Sequence, residues 1–200
     1  VKSLRIALVA ALVAFGCART KTEYFTLGAI EPPAAAPLAA RPDLGLAVGP
    51  IEFPRYLDRP EIVTRDGAHR LALSNANRWA GSLRNDVLRV VADDLARLLG
   101  TSRVAVFPNE PRFRLDYRVL LDLRELEGVP GESVTLRARW TVASGGDGRA
   151  LVVEEAHVVE PTASASFEDL VAAQRAALAA LSQAIAGGLA TLPAPAAGAR

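Results

Sequence analysis

Arg112-Phe113-Arg114-Leu115-Asp116-Tyr117-Arg118-Val119-Leu120-Leu121-Asp122-Leu123-Arg124 alternates apolar and charged side chains with a period of two. Phe113, Leu115, Tyr117, Val119, Leu121 and Leu123 fall on one face, and most of the charges on the other. That pattern predicts a strand with one face in the core and one in water, as in an antiparallel sheet. Val134, Leu136, Ala138, Trp140 and Val142 repeat it, with Thr135, Arg137, Arg139 and Thr141 outward. Ser144-Gly145-Gly146-Asp147-Gly148 then turns the chain into a further strand from Ala150 to Val159.

On the N-terminal side, Leu44 to Phe53 reads as a strand disturbed by Gly49-Pro50, and Arg103 to Phe107 as a shorter one. Glu61-Ile62-Val63-Thr64 and His69-Arg70-Leu71-Ala72-Leu73 flank Arg65-Asp66-Gly67-Ala68, and Asp-Gly is a strong hairpin signal. Between these strands the period changes. Trp79, Leu83, Val87, Val91, Leu95 and Leu98 recur at three- and four-residue steps, predicting a helix over 79–99 ended by Gly100 in the left-handed conformation. Its charges suggest Arg89–Asp93 and Asp93–Arg97 pairs. A second helix is expected from Phe167 to about Leu189, with Phe167, Leu170, Val171, Leu178, Leu181, Ile185 and Leu189 as its stripe and Ser166 before it. The expected fold is α+β: a single domain with a mostly antiparallel sheet and two long amphipathic helices on one face.

The ends have a different character. Lys2 and Arg5 precede a wholly apolar run from Ile6 to Phe15, closed by Gly16-Cys17. This run is about half the roughly 20 residues a spanning helix needs, and fits the apolar region of an export signal. Ala14-Phe15-Gly16-Cys17 resembles the lipobox of bacterial lipoproteins, which implies cleavage before Cys17 and its acylation, with palmitate among the chains. Several chains give the stable anchoring that one does not. Cys17 is also the single cysteine, so no disulfide framework is available. The expected organisation is a signal peptide over 1–16, a lipidated N-terminus with a short strand and a Pro/Ala linker over 17–43, the domain over 44–190, and a disordered tail over 191–200. Within the second of these, Tyr24 to Leu27 suits a strand and 31–42 a tether.

Chemistry is scarce. Removing residues 1–16 takes Lys2 and Arg5 from 23 basic side chains and nothing from 22 acidic ones, so the balance is near neutral. No basic block marks a nucleic-acid partner. Gly131-Glu132-Ser133-Val134-Thr135 lacks the second glycine of a hydrolase elbow. The glycines at 145–148 have no following lysine or helix. His69 and His157 stand apart from one another and read as strand-surface residues rather than metal ligands. The acidic pairs Asp93-Asp94, Glu125 with Glu127, and Glu154-Glu155 read as solvated faces. No catalytic residue, metal or cofactor is expected.

The segment Phe53-Pro54-Arg55-Tyr56-Leu57-Asp58-Arg59-Pro60-Glu61 is the unusual polar stretch. Two prolines bracket Tyr56, Leu57 and Arg59 and reduce the conformations lost on binding, and Tyr and Arg are typical interface hot spots. Two readings stay open: contact with a partner or with another copy of the chain, or a rigid connection whose Tyr56 and Leu57 pack on the sheet.

Tyr56-Leu57-Asp58-Arg59-Pro60-Glu61-Ile62-Val63, then Leu71-Ala72-Leu73, Asn77-Arg78-Trp79-Ala80 opening a long helix, and Asp94-Leu95-Ala96-Arg97-Leu98-Leu99 closing it, resemble the PqiC family. These are auxiliary lipoproteins of ABC-type membrane-integrity transporters, and Tyr24-Phe25-Thr26-Leu27 resembles their start. The resemblance implies a non-enzymatic outer-membrane lipoprotein facing the periplasm. Its partner would be an envelope-spanning MCE-domain protein that moves phospholipid or other hydrophobic cargo. Ala18, in place of an inner-membrane-retaining aspartate, agrees with that sorting. Tyr56, Leu57, Asp58 and Arg59 are the candidate partner or self-association contacts, with Arg78 and Trp79 after them, although Trp79 also suits the helix–sheet core. The alternative is a periplasmic shuttle enclosing acyl chains itself, with an envelope hydrolase a weaker third.

Overall fold

The computed structural model describes residues 21–28, 38, 40–109 and 111–193. The chain runs β1 (Glu23–Phe25), β2 (Leu46–Glu52), β3 (Glu61–Arg65), β4 (Leu71–Trp79), α1 (Leu83–Leu99), β5 (Val104–Val106), β6 (Tyr117–Val129), β7 (Ser133–Ser144), β8 (Ala150–Pro161) and α2 (Phe167–Ala190). The fold is α+β, as expected. Its strands form a five-stranded sheet in the order β5-β2-β6-β7-β8 and a three-stranded sheet in the order β1-β4-β3.

Long alternating strands make the centre. β6, β7 and β8 form two antiparallel pairs in the anticipated order, with Val119, Leu121, Leu136, Trp140 and Val142 turned into the core. Both sheets are nonetheless mixed: β2 pairs parallel with both β5 and β6 in the larger one, and β1 pairs parallel with β4 in the smaller. A parallel neighbour needs a crossover, and α1 provides one between β2 and β5. Between Val48 and Ile51 the β2–β6 register shifts at Gly49-Pro50. Gly49 has φ 103°, and a Cβ there would lie 2.8 Å from Cβ of Phe107, so the position requires glycine.

Two boundaries differ from the sequence reading. β6 begins at Tyr117, not Arg112, because its neighbours reach only that far: Leu46 of β2 and Ser144 of β7 both pair with Tyr117. Ahead of them Asp116 accepts the Gly45 N–H through its side chain at 2.8 Å. Likewise Asn77-Arg78-Trp79 does not open a helix but closes β4, paired with Glu23, Tyr24 and Phe25. The Trp79 N–H donates to Pro60 O at 2.7 Å, and Ser82 caps α1 by accepting from the Asn85 N–H at 3.4 Å. At the other end Gly100 takes φ 62°, as the sequence predicts.

The helices pack on the five-stranded sheet and on each other. Val87, Val91, Leu95 and Leu99 of α1 and Leu170, Leu178, Leu181, Ile185 and Leu189 of α2 are buried. α2 is long and apolar enough to cross a bilayer by composition, yet its inward face is core. Gly188 lets it lie on Trp140, whose ring edge would be 2.5 Å from an added Cβ. The last turn of α2 has no basic residue; Arg41 donates to its Leu189 carbonyl and to Leu192 O, each at 2.7 Å. Leu38 and Arg41 also donate backbone N–H groups to Leu98 and Leu99 of α1, so this end of the segment expected as a tether is fastened to both helices.

The α1 charges pair differently from the sequence expectation. Arg89 joins Asp86 and Arg97 joins Asp94, three residues apart. Asp94 is buried rather than solvated and also takes Arg175 of α2 at 2.6 and 3.0 Å. A buried carboxylate needs such partners, and this one ties the two helices together.

Candidate functional site

The segment between Phe53 and Glu61 sits where the two sheets meet, and its side chains divide sharply by depth. Leu57 is buried in the main core, and the Leu57 N–H donates to Pro54 O at 3.0 Å, folding the segment into a turn. Tyr56 is half-buried, and its hydroxyl donates to Glu127 Oε2 at 2.9 Å. Asp58 and Arg59 point outward with side chains 40% and 39% exposed.

Each outward residue is steadied from beside it. Asp58 accepts from Arg84 at 2.8 Å; Arg84 in turn donates to Ile51 O and lies 5.4 Å from the Phe53 ring centroid. Glu61 bridges Arg59 at 3.4 Å and Arg78 at 3.0 Å. The structure therefore brings Arg59 and Arg78 together on one carboxylate. Trp79, next to Arg78, is buried in the core, and Leu57 with it, so among the six residues singled out from the sequence these two pack inward.

Beneath the turn lies a polar centre that the sequence reading missed. Glu127 on β6 has a side chain with no exposure, although its face of the sheet is the one turned away from the helices. Its carboxylate accepts from Tyr56, from Arg65 of β3 at 2.5 Å and from the Leu126 N–H at 3.2 Å. Glu125, on the same face, lies 3.9 Å from Arg65 and 3.7 Å from Arg137. Burial, then the nearby Glu127 charge, pushes the Tyr56 hydroxyl well above the ordinary tyrosine range, so it stays a neutral donor. Glu127 is thus held by three donors, with neither a nucleophile nor a free lone pair aimed at solvent. The arrangement fixes one loop against two sheets.

A phase slip in the sequence marks this centre. Apolar residues occupy 117, 119, 121 and 123, then 126, and the β6–β7 register shifts between Leu123 and Glu125. This bulge keeps Leu126 in the core and puts Glu125 and Glu127 together on the other face. His157 lies on β8 opposite Arg137, and both line a depression of about 440 Å³ with Arg124 and Glu155. His69 sits exposed beside the β3–β4 turn. Cys17, the expected lipidation site, lies outside the described residues.

Comparison with known proteins agrees with this architecture. No curated protein matches the chain. One solved structure of an uncharacterized protein superposes with a TM-score of 0.67 at 15% identity, covering 84% of this chain and 99% of the other. Protein XCC0632 from Xanthomonas campestris, of the DUF330 family, also gives 0.67, at 19% identity and with 84% and 94% covered. At these identities both share the fold. The profile of the ABC-type transport auxiliary lipoprotein component family matches residues 25–186, which takes in β2 to β8, all of α1 and most of α2. The chain belongs to that family of auxiliary lipoproteins of ABC-type transport.

Proposed function

We propose that this chain is a non-enzymatic outer-membrane lipoprotein, anchored through acylated Cys17 and facing the periplasm. In this reading it docks the MCE-domain protein of an ABC transport system at the outer membrane, in the service of lipid or hydrophobic-compound traffic. The observation that carries it is the Tyr56–Arg59 turn. Leu57 in the core and Tyr56 on Glu127 hold the turn from below, leaving Asp58 and Arg59 exposed and already ordered. Such preorganisation lowers the ordering cost of association.

The shuttle reading has less support. Trp140, Leu46, Leu95, Leu126, Leu136, Leu178 and Leu181 fill the layer between sheet and helices, so an acyl chain would have to displace α2. Affinity purification of the tagged chain from native membranes tests the docking reading. The MCE-domain protein encoded beside its ABC permease is expected in the eluate. Its clean absence under detergents that preserve the transporter would sink the proposal.

A further inference from the structure

Seven of the described residues expose large apolar side chains: Leu38, Phe107, and Val153 and Val159 on β8 stand apart, and the other three share one small sheet. Tyr24 (65% exposed), Leu71 (39%) and Leu73 (44%) all belong to the small three-stranded sheet. The register places them on one side of it. Glu61, Val63 and Arg65 alternate onto a common face of β3, opposite Arg78, Leu73 and Leu71 of β4 in turn, and Arg78 pairs with Tyr24 of β1. Directly paired residues share a face. Leu73 and Arg78, five positions apart, would oppose each other in a regular strand. The register shift in β4 between them puts both on the same side. Toward β3 this side is covered, since Val63 is buried and Arg65 reaches Glu127. Toward β1 and the start of β4 it is open.

The chain's own tether says what this open side faces. Tyr24 lies seven positions after Cys17, a span of at most about 25 Å when extended. A domain of this size is roughly 40 Å across. An anchor at Cys17 therefore keeps β1 within about 25 Å of the bilayer, less than the width of the domain. Tyrosine favours the membrane–water boundary, where its ring meets acyl chain and its hydroxyl meets water. Leu71 and Leu73 supply apolar area beside it. The charges around them are mixed: Lys21 and Glu23 lead into β1, and Arg70 pairs with Asp66 at 3.1 Å, so apolar contact rather than net charge is the attraction.

We propose that the open side of the three-stranded sheet, marked by Tyr24, Leu71 and Leu73, rests on the phospholipid surface into which the acylated Cys17 inserts. This rests on reading Cys17 as the anchor, and adds that the fold itself makes a second, orienting contact with lipid. With the small sheet down, the far end of β6 and the β7–β8 turn stand toward the periplasm.

The test uses the full acylated chain in vesicles of phosphatidylethanolamine and phosphatidylglycerol. Acylation occupies the one native thiol, so a cysteine introduced by Leu73→Cys, Tyr24→Cys or Asp147→Cys takes an environment-sensitive fluorophore specifically. Asp147 lies in the β7–β8 turn, at the opposite end of β6 from Glu127. Spin-labelled lipid is expected to quench the probes at 73 and 24 several-fold more than the probe at 147. Leu71→Glu with Leu73→Glu should lower quenching at 24 while leaving vesicle flotation and the circular dichroism spectrum unchanged. Equal quenching at 73 and 147 in protein that floats with the vesicles, with the acyl mass present on Cys17, overturns the lipid contact alone. Lack of both acyl mass and flotation overturns the anchor and the contact together. Protection at 73 that appears only when the MCE-domain protein is added assigns the surface to a protein and overturns the proposal.

Discussion

Glu127 shows how one buried charge can organise a surface it never reaches. A carboxylate removed from water is costly unless donors replace its hydration. Here Tyr56, Arg65 and a backbone N–H do so, from the turn, from β3 and from β6 itself. Tyr56→Phe removes one donor and leaves an acceptor unmet, a loss of about 1–3 kcal/mol. The same contact predicts an alkaline limit. Burial and then the Glu127 charge raise the Tyr56 pKa in the folded state, while an unfolded tyrosine ionises near 10. The contribution to stability is therefore complete below about pH 10 and is lost as pH rises from there toward the folded value. Melting temperatures measured from about pH 8 to 11 should fall more steeply for the native chain than for Tyr56→Phe. Parallel curves would mean that the hydroxyl does not carry this dependence.

At the level of elements, α2 is set by its contact with Trp140. Gly188 faces the indole ring with no room for a Cβ, so Gly188→Val should force the ring or the helix outward. The cost is expected at about 1–3 kcal/mol, read as a lower denaturation midpoint, whereas Gly187→Val, at a position with nothing within 4 Å of an added Cβ, should cost clearly less. If the two variants are equally stable, the close approach does not constrain α2. Much of this level was legible in advance. The stripes of α1 and α2, the alternation of β7 and β8, and Gly100 as a helix end each depend on residues within one segment. What failed depends on partners. Phe113 and Leu115 alternate like strand residues but pair with no strand among the described residues, and Trp79 continued the α1 stripe while belonging to β4. Asp94 looked solvated until Arg175, on a helix far along the chain, arrived beside it. The Tyr56–Arg59 segment was visible as unusual, but Glu127 beneath it was hidden by a bulge that only the sheet register reveals.

For the whole molecule, a near-neutral chain cannot rely on net charge to find its partner, so specificity must come from placed charges. Asp58 and Arg59 are neighbours of opposite sign on a turn whose underside is fixed. Their own ion pairs, to Arg84 and Glu61, are partly solvent-exposed and contribute little to stability, typically about 0–1 kcal/mol each. Exchanging the signs, as Asp58→Arg with Arg59→Glu, should thus leave the melting temperature within a few degrees while inverting the pattern shown to a partner. Like charges brought together at an interface are strongly unfavourable, so recovery of the MCE-domain protein is expected to drop by about tenfold or more. Undiminished recovery from a folded variant would remove the turn from the interface, leaving family membership and fold intact. Reduced recovery with an unchanged melting curve would separate docking from folding at this site, because Leu57 and Tyr56, which hold the turn in place, are untouched by the exchange.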